Sequence, residues 1–125
     1  MMVNRVISDN GLIVTDTGVD IDIRLPWYRA LPLSTVGVTD VEIDNRKIDL
    51  VPLTFEVNGK QYKLSQLSDL YTEWWYVLDS AYLHVPGANV VRGQHYQIKV
   101  TVAIRPPYIP GFYRLTECSK KLRAH

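Results

Sequence analysis

The chain has 125 residues, one domain's length, and its 46% hydrophobic and 22% charged content excludes a largely disordered polypeptide. Lysine plus arginine totals 14 against 13 for aspartate plus glutamate, a formal net charge of +1. Charges this evenly balanced give little drive toward phosphate backbones or anionic membrane surfaces, so neither nucleic acid nor a membrane is an expected partner.

In chain order, Met1 to Asn10 has no sustained apolar stretch, so no signal peptide is expected, and no run approaches the roughly 18 apolar residues of a spanning helix. Val3–Ser8 and Leu12–Thr15 read as short strands parted by a turn at Asp9-Asn10-Gly11. Asp16-Thr17-Gly18 then leads into Val19–Leu25, where apolar odd positions alternate with charged even ones, the period of a half-buried strand. Asp40–Asp44 and Leu53–Val57 repeat that pattern. Asp44–Lys47 reads as a turn leading to Ile48-Asp49-Leu50. Asn58-Gly59 predicts a type I′ hairpin joining Leu53–Val57 to Gln61–Lys63, because both central positions of that turn require positive φ. Leu64, Leu67 and Leu70 recur at helical spacing and predict one or two turns of helix. Ala81–Val85 is a short strand closed by Pro86-Gly87. Tyr96–Arg105 is the longest strand signal, with Tyr96, Ile98, Val100, Val102 and Ile104 on one face.

This pattern predicts an all-β chain, an antiparallel β-sandwich with one short helical excursion, forming a single domain over residues 1–125. From about residue 106 the composition changes. Pro106-Pro107-Tyr108-Ile109-Pro110-Gly111-Phe112-Tyr113 predicts either an aromatic, proline-stiffened C-terminal arm that grips a partner or a segment folded back on the domain. Ser119 to His125 is expected to fray.

Chemistry-bearing constellations are sparse. There is no G-x-S-x-G elbow, phosphate loop or H-E-x-x-H helix, so no catalytic residue and no cofactor is assigned to this chain. The one cysteine, Cys118, cannot form an internal disulfide; it reads as a structural thiol in a reducing, cytoplasmic protein. His84 and His95 fall on polar strand faces where they could meet across strands. Asp20 and Asp22 read as the solvated side of their strand, and no metal site is assigned.

The aromatics carry more information. Neighbouring residues on a strand point to opposite faces, so one of Trp74 and Trp75 must approach the surface. The densest unusual stretch is Arg24 to Ser34. Its strand becomes a loop stiffened at Pro26 and Pro32 that bears Arg24, Trp27, Tyr28 and Arg29. A rigid loop with apolar anchors and guanidinium groups suits partner contact, and its rigidity lowers the entropy cost of docking. The alternative is that both arginines are intrachain pairs that hold the loop.

The run Ile21-Asp22-Ile23-Arg24-Leu25-Pro26-Trp27-Tyr28-Arg29-Ala30-Leu31-Pro32-Leu33-Ser34 resembles the signature of bacterial C-glycoside deglycosidase β subunits. There an Arg-Ile-Pro-Tyr-Tyr-Arg-Gly-x-Pro-Leu-Ser pattern follows a strand, and Leu25, Trp27 and Ala30 are this chain's departures from it. Val41–Asp44, Phe55–Tyr62, the tryptophans at 74 and 75, Tyr96–Ile104 and Pro107–Pro110 follow in similar order. The resemblance implies a β-sandwich subunit paired with a larger TIM-barrel α subunit that holds a divalent metal, manganese expected. It implies a 3-keto C-glycoside substrate whose ketone acidifies the C2 hydrogen. A base removes that hydrogen, and elimination breaks the sugar–aglycone carbon–carbon bond. Arg24, Pro26, Trp27, Tyr28, Arg29, Pro32 and Tyr108 are then expected at the subunit interface. Two other classes remain open: a carbohydrate-binding module using Trp27, Trp74 or Trp75, and a single-strand nucleic-acid binder that stacks bases on aromatics, which the charge balance disfavours.

Overall fold

The structure is a computed structural model that describes residues 6–125; the first residues of the expected strand Val3–Ser8 lie outside it. Its strands are β1 (Ile7–Val14), β2 (Gly18–Ile23), β3 (Leu31–Pro32), β4 (Val36–Ile43), β5 (Arg46–Lys47), β6 (Thr54–Val57), β7 (Lys60–Lys63), β8 (Trp74–Trp75), β9 (Ala81–Pro86), β10 (His95–Ile104) and β11 (Arg114–Arg123). They form a five-stranded sheet in the order β1-β2-β9-β6-β7, a four-stranded sheet in the order β11-β10-β4-β5, and a small β3-β8 ladder. Every pairing is antiparallel.

The alternation decides which side chains meet. Val19, Ile21 and Ile23 of β2, Leu83 of β9 and Phe55 of β6 face Val41 of β4 and Ile98, Val100, Val102 and Ile104 of β10 in one buried cluster. Two sheets that share one apolar interior make a sandwich. The leucine repeat forms a 3-10 helix over Leu64–Asp69 that buries Leu67. Among the described residues no helix is long and apolar enough to cross a membrane.

Turn chemistry fixes the registers. Asn58 and Gly59 have φ of 55° and 74° and pair Val57 with Lys60, as the dipeptide predicts. Asp44 and Asn45, at φ 51° and 65°, make a second such turn, so Arg46 and Lys47 are a short strand rather than turn residues. Asp9-Asn10-Gly11 is not a turn. Ser8 to Gly11 bulge out of the continuous strand β1 opposite Asp22, and a Cβ on Gly11 would sit 2.7 Å from the Ser8 carbonyl oxygen.

At the C-terminus the 106–113 segment takes the folded-back form, the second of its two expected readings, while the expected fraying does not occur. Residues 106–113 are no free arm; they form the connection from β10 to β11. Beyond it the chain returns as a full strand paired with β10 from Ile104–Arg114 to His95–Arg123. Ser119–His125 is not frayed: Leu122 and Ala124 are buried. The Val14 amide donates to the His125 carbonyl at 2.8 Å, the His125 amide donates to Leu12 at 3.1 Å, and Lys120 Nζ reaches the Ile7 carbonyl at 2.8 Å. These bonds sew the β11 edge of one sheet to the β1 edge of the other.

On the outer face of the five-stranded sheet, β9 stands between β2 and β6. His84 Nδ1 lies 2.5 Å from Asp20 Oδ1 and Nε2 lies 2.8 Å from Glu56 Oε1. An imidazole that donates from both nitrogens carries a proton on each, so this geometry belongs to the imidazolium. Burial pulls the His84 pKa down, but hydrogen bonds and charge from Asp20 and Glu56 outweigh it and hold the pKa above the ordinary 6.5. His95 lies on β10 in the other sheet, so the two histidines do not meet.

Two predictions follow from this frame. A Cβ on Gly18 would lie 2.0 Å from the Val85 carbonyl oxygen, so Gly18→Ala must push β9 away, and chemical denaturation should show a loss of about 1–3 kcal/mol, the usual scale of overpacking. The folded His84 pKa is raised, so its stabilisation is complete below about pH 6.5 and disappears as pH climbs through the folded value. Melting temperature should therefore fall across that range in the wild type and much less in His84→Gln; equal slopes would refute the imidazolium clamp.

Candidate functional site

The antiparallel order brings the aromatic-rich connections to one end of the sandwich. β2 ends at Ile23 opposite Ala81, where β9 begins, and β10 ends at Ile104 opposite Val36, where β4 begins. The 24–35, 70–80 and 105–113 segments therefore share this end. The β3-β8 ladder pairs Leu31 with Trp75 and Pro32 with Trp74, and the Arg105 amide donates to the Thr35 carbonyl.

The stretch from Arg24 to Pro32 splits into an inner and an outer set. Pro26, Trp27, Leu31 and Pro32 are buried, while Tyr28 and Arg29 are exposed. The Trp27 indole N–H donates to the Tyr108 hydroxyl, and its ring centroid is 5.6 Å from that of Phe112 and 4.9 Å from that of Tyr28. Trp27, Pro26 and Pro32 thus brace the loop from within. The Arg29 guanidinium lies over the Tyr108 ring, 5.0 Å from its centroid. Tyr28, Arg29 and Tyr108 form the outer surface.

Arg24 takes the intrachain, loop-holding role that the sequence leaves as its alternative. Its Nε donates to Ser80 Oγ at 3.1 Å, its Nη1 donates to the Leu78 carbonyl at 2.9 Å, and Asp22 Oδ1 lies 3.9 Å away. It is spent within the chain. What it holds is unusual: Leu78 is 80% exposed with φ at 76°, in the left-handed region that leucine avoids.

The tryptophan pair resolves as the strand rule requires. Trp75 is fully buried, edge-on to Phe55 at 5.3 Å, and its indole donates to the Asp79 carbonyl, whereas Trp74 faces outward. Below them Glu73 accepts from Asn58 at 2.8 Å, Lys60 at 3.0 Å and Tyr62 at 3.2 Å. The Asn58 amide and then Lys60 hold the Glu73 carboxyl below its usual range, and Glu73 in turn raises the Lys60 ammonium. This junction ties the β6–β7 hairpin to the 70–80 segment. Sequence reading missed it, because Glu73 and Lys60 look like ordinary surface charges.

Tyr28, Tyr71, Trp74, Tyr76, Leu78, Tyr108 and Tyr113 are all exposed, and all belong to segments at this end. The groups considered for chemistry lie elsewhere. Cys118 is buried on β11. Asp20 and Glu56 occupy opposite nitrogens of the His84 ring, so they cannot share an ion with it. Among the described residues no three His, Cys, Asp or Glu side chains are placed to hold a metal.

Residues 3–108 match the family described as C-glycoside deglycosidase beta subunit. The chain is 36% identical over 110 residues to the 3'-dehydrocarminate deglycosidase beta subunit of a Microbacterium species, covering 88% of this chain and 83% of that protein. It is 29% identical to C-glycoside deglycosidase beta subunits of Microbacterium trichothecenolyticum, covering 87% of this chain and 82% of that protein, and of Arthrobacter globiformis, covering 87% and 83%.

The backbone at Leu78 yields a prediction independent of any partner. A left-handed non-glycine residue costs about 1–2 kcal/mol, and glycine's freer unfolded chain takes back about 0.4–1 kcal/mol. Leu78→Gly should therefore raise the stability of the isolated chain by up to about 1 kcal/mol in chemical denaturation; a loss would show that the leucine side chain packs on its own domain.

Proposed function

The chain belongs to the C-glycoside deglycosidase beta subunit family, and from that membership we propose that it is the non-catalytic subunit of a heteromeric, cytoplasmic enzyme. A larger TIM-barrel α subunit holds the divalent metal, manganese expected, and the base. The complex cleaves the carbon–carbon bond of a 3-keto C-glycoside by base-assisted elimination: the C2 proton goes to the base, a C1–C2 double bond forms, and the aglycone carbon leaves with the bonding pair. This chain's part is to present its loop end to the α subunit.

One observation carries the reading. The exposed aromatics of the described residues gather at one end on segments braced from within by Trp27 and Arg24. Exposed aromatic clusters beside arginine are what protein interfaces are built from. The free, buried thiol of Cys118 agrees with a reducing compartment.

Reconstitution tests it. The isolated chain should be inactive on a 3-keto C-glucoside, and adding the α subunit should give cleavage. Tyr28→Ala and Leu78→Gly should each weaken the complex about tenfold or more in a pull-down titration, the loss expected for an interface anchor. Activity of the chain alone, or assembly unchanged in both variants, would overturn the reading. Quenching of Trp74 fluorescence by glucosides in the isolated chain would favour a carbohydrate-binding module instead.

A further inference from the structure

We propose that Arg29 and Arg105 are carboxylate readers, and that the face of the α subunit meeting this end is acidic. The inference rests on the reading of the loop end as the subunit interface and adds the chemistry of what covers it.

Each guanidinium lies over a tyrosine. Arg29 is 5.0 Å from the Tyr108 centroid and Arg105 is 4.9 Å from the Tyr113 centroid. Both arginines and both tyrosines are exposed. A guanidinium held over an aromatic face keeps its N–H donors available for a carboxylate, which it can grip bidentately. The order is inherited from the core, since Trp27 holds the Tyr108 hydroxyl that sets the ring under Arg29.

Neither arginine has an ion-pair partner among the described residues. The undescribed residues 1–5 include no aspartate or glutamate that could supply one. Two other charges near this end are engaged within the chain. Arg24 is bound to Ser80 and Leu78, and Lys60 is paired with Glu73. A guanidinium immobilised on an aromatic face without its own counter-ion has lost freedom with no return inside the chain. A carboxylate arriving from a partner meets donors already in place, so little further ordering entropy is lost. Charge complementarity therefore points to acidic residues on the α subunit opposite Arg29 and Arg105.

The test is the dissociation constant of the complex with the α subunit, measured by titration calorimetry as salt is raised from about 10 mM to about 1 M, over which the screening length shrinks from about 30 Å to about 3 Å. Wild-type affinity should fall with salt. Arg29→Gln and Arg105→Gln should each weaken binding at least about tenfold at low salt, and the double variant should flatten the salt dependence. Arg29→Lys and Arg105→Lys should recover only part of the loss, because an ammonium lacks the planar fork. Tyr113→Leu, which removes a stack and leaves the core contact of Trp27 alone, should fall between wild type and Arg105→Gln. Unchanged melting curves should accompany every loss.

An α subunit that binds with the same affinity and salt slope to the double glutamine variant overturns the inference while leaving the interface in place. An α subunit that fails to bind the wild-type chain overturns the interface reading itself. Self-association of the isolated chain that disappears in the double variant would assign the guanidiniums to a second copy and also overturn it.

Discussion

The indole N–H of Trp27 donating to the Tyr108 hydroxyl is the contact that organises the whole loop end. A buried indole that lacks an acceptor costs about 1–3 kcal/mol, so the two loops that supply the partners are bound together as firmly as core elements are. Residues 27 and 108 belong to different sheets' connections, and the bond holds those connections side by side. Trp27 is locked in turn by Phe112 and by the proline on either side of its segment. The Tyr108 ring beneath Arg29 is therefore set by packing inside the domain, and the geometry of an exposed guanidinium is decided in the core.

The lateral faces of the sandwich show the opposite economy of charge. On one sheet His84 bridges Asp20 and Glu56. On the other, Lys99 lies 3.1 Å from Glu42 and 3.4 Å from both Asp40 and Glu117. Pairs this exposed contribute little to stability one by one. They cross-link neighbouring strands on each face. The loop end combines exposed rings with two guanidiniums that have no ion-pair partner among the described residues.

The ladders were legible because the alternation of β2, β6 and β10 and the Asn58-Gly59 turn state their geometry locally. What was illegible depends on a second strand. In β4 a bulge pairs Thr101 with Asp40 but Val102 with Val38, so the buried residues run Val36, Val38, then Val41, Ile43, and the change of phase hides the first half of the strand. In β11 the inward positions are Thr116, Cys118, Lys120 and Leu122, too polar to advertise a strand until the β1 edge receives the Lys120 ammonium. Trp27 and Tyr28 are chemically similar neighbours, and only the position of Tyr108 decides which turns inward. Arg105 drew no notice as a strand-end residue, because its stacking on Tyr113 appears only when the 106–113 connection folds back.

Arg24 and Leu78 show why such a surface argues for a partner. The left-handed backbone at Leu78 is unfavourable, and its exposed side chain recovers nothing from the domain. Two hydrogen bonds from Arg24, to Ser80 and to the Leu78 carbonyl, keep the segment in that state. A domain shaped by its own stability alone would place glycine or asparagine there and spare the arginine. Holding an apolar side chain outward against its backbone preference makes sense when the free energy returned lies across an interface, where burying a leucine is worth about 1.5–3 kcal/mol and exceeds the local strain. It is at that surface, rather than in a cleft, that the chain breaks its local rules.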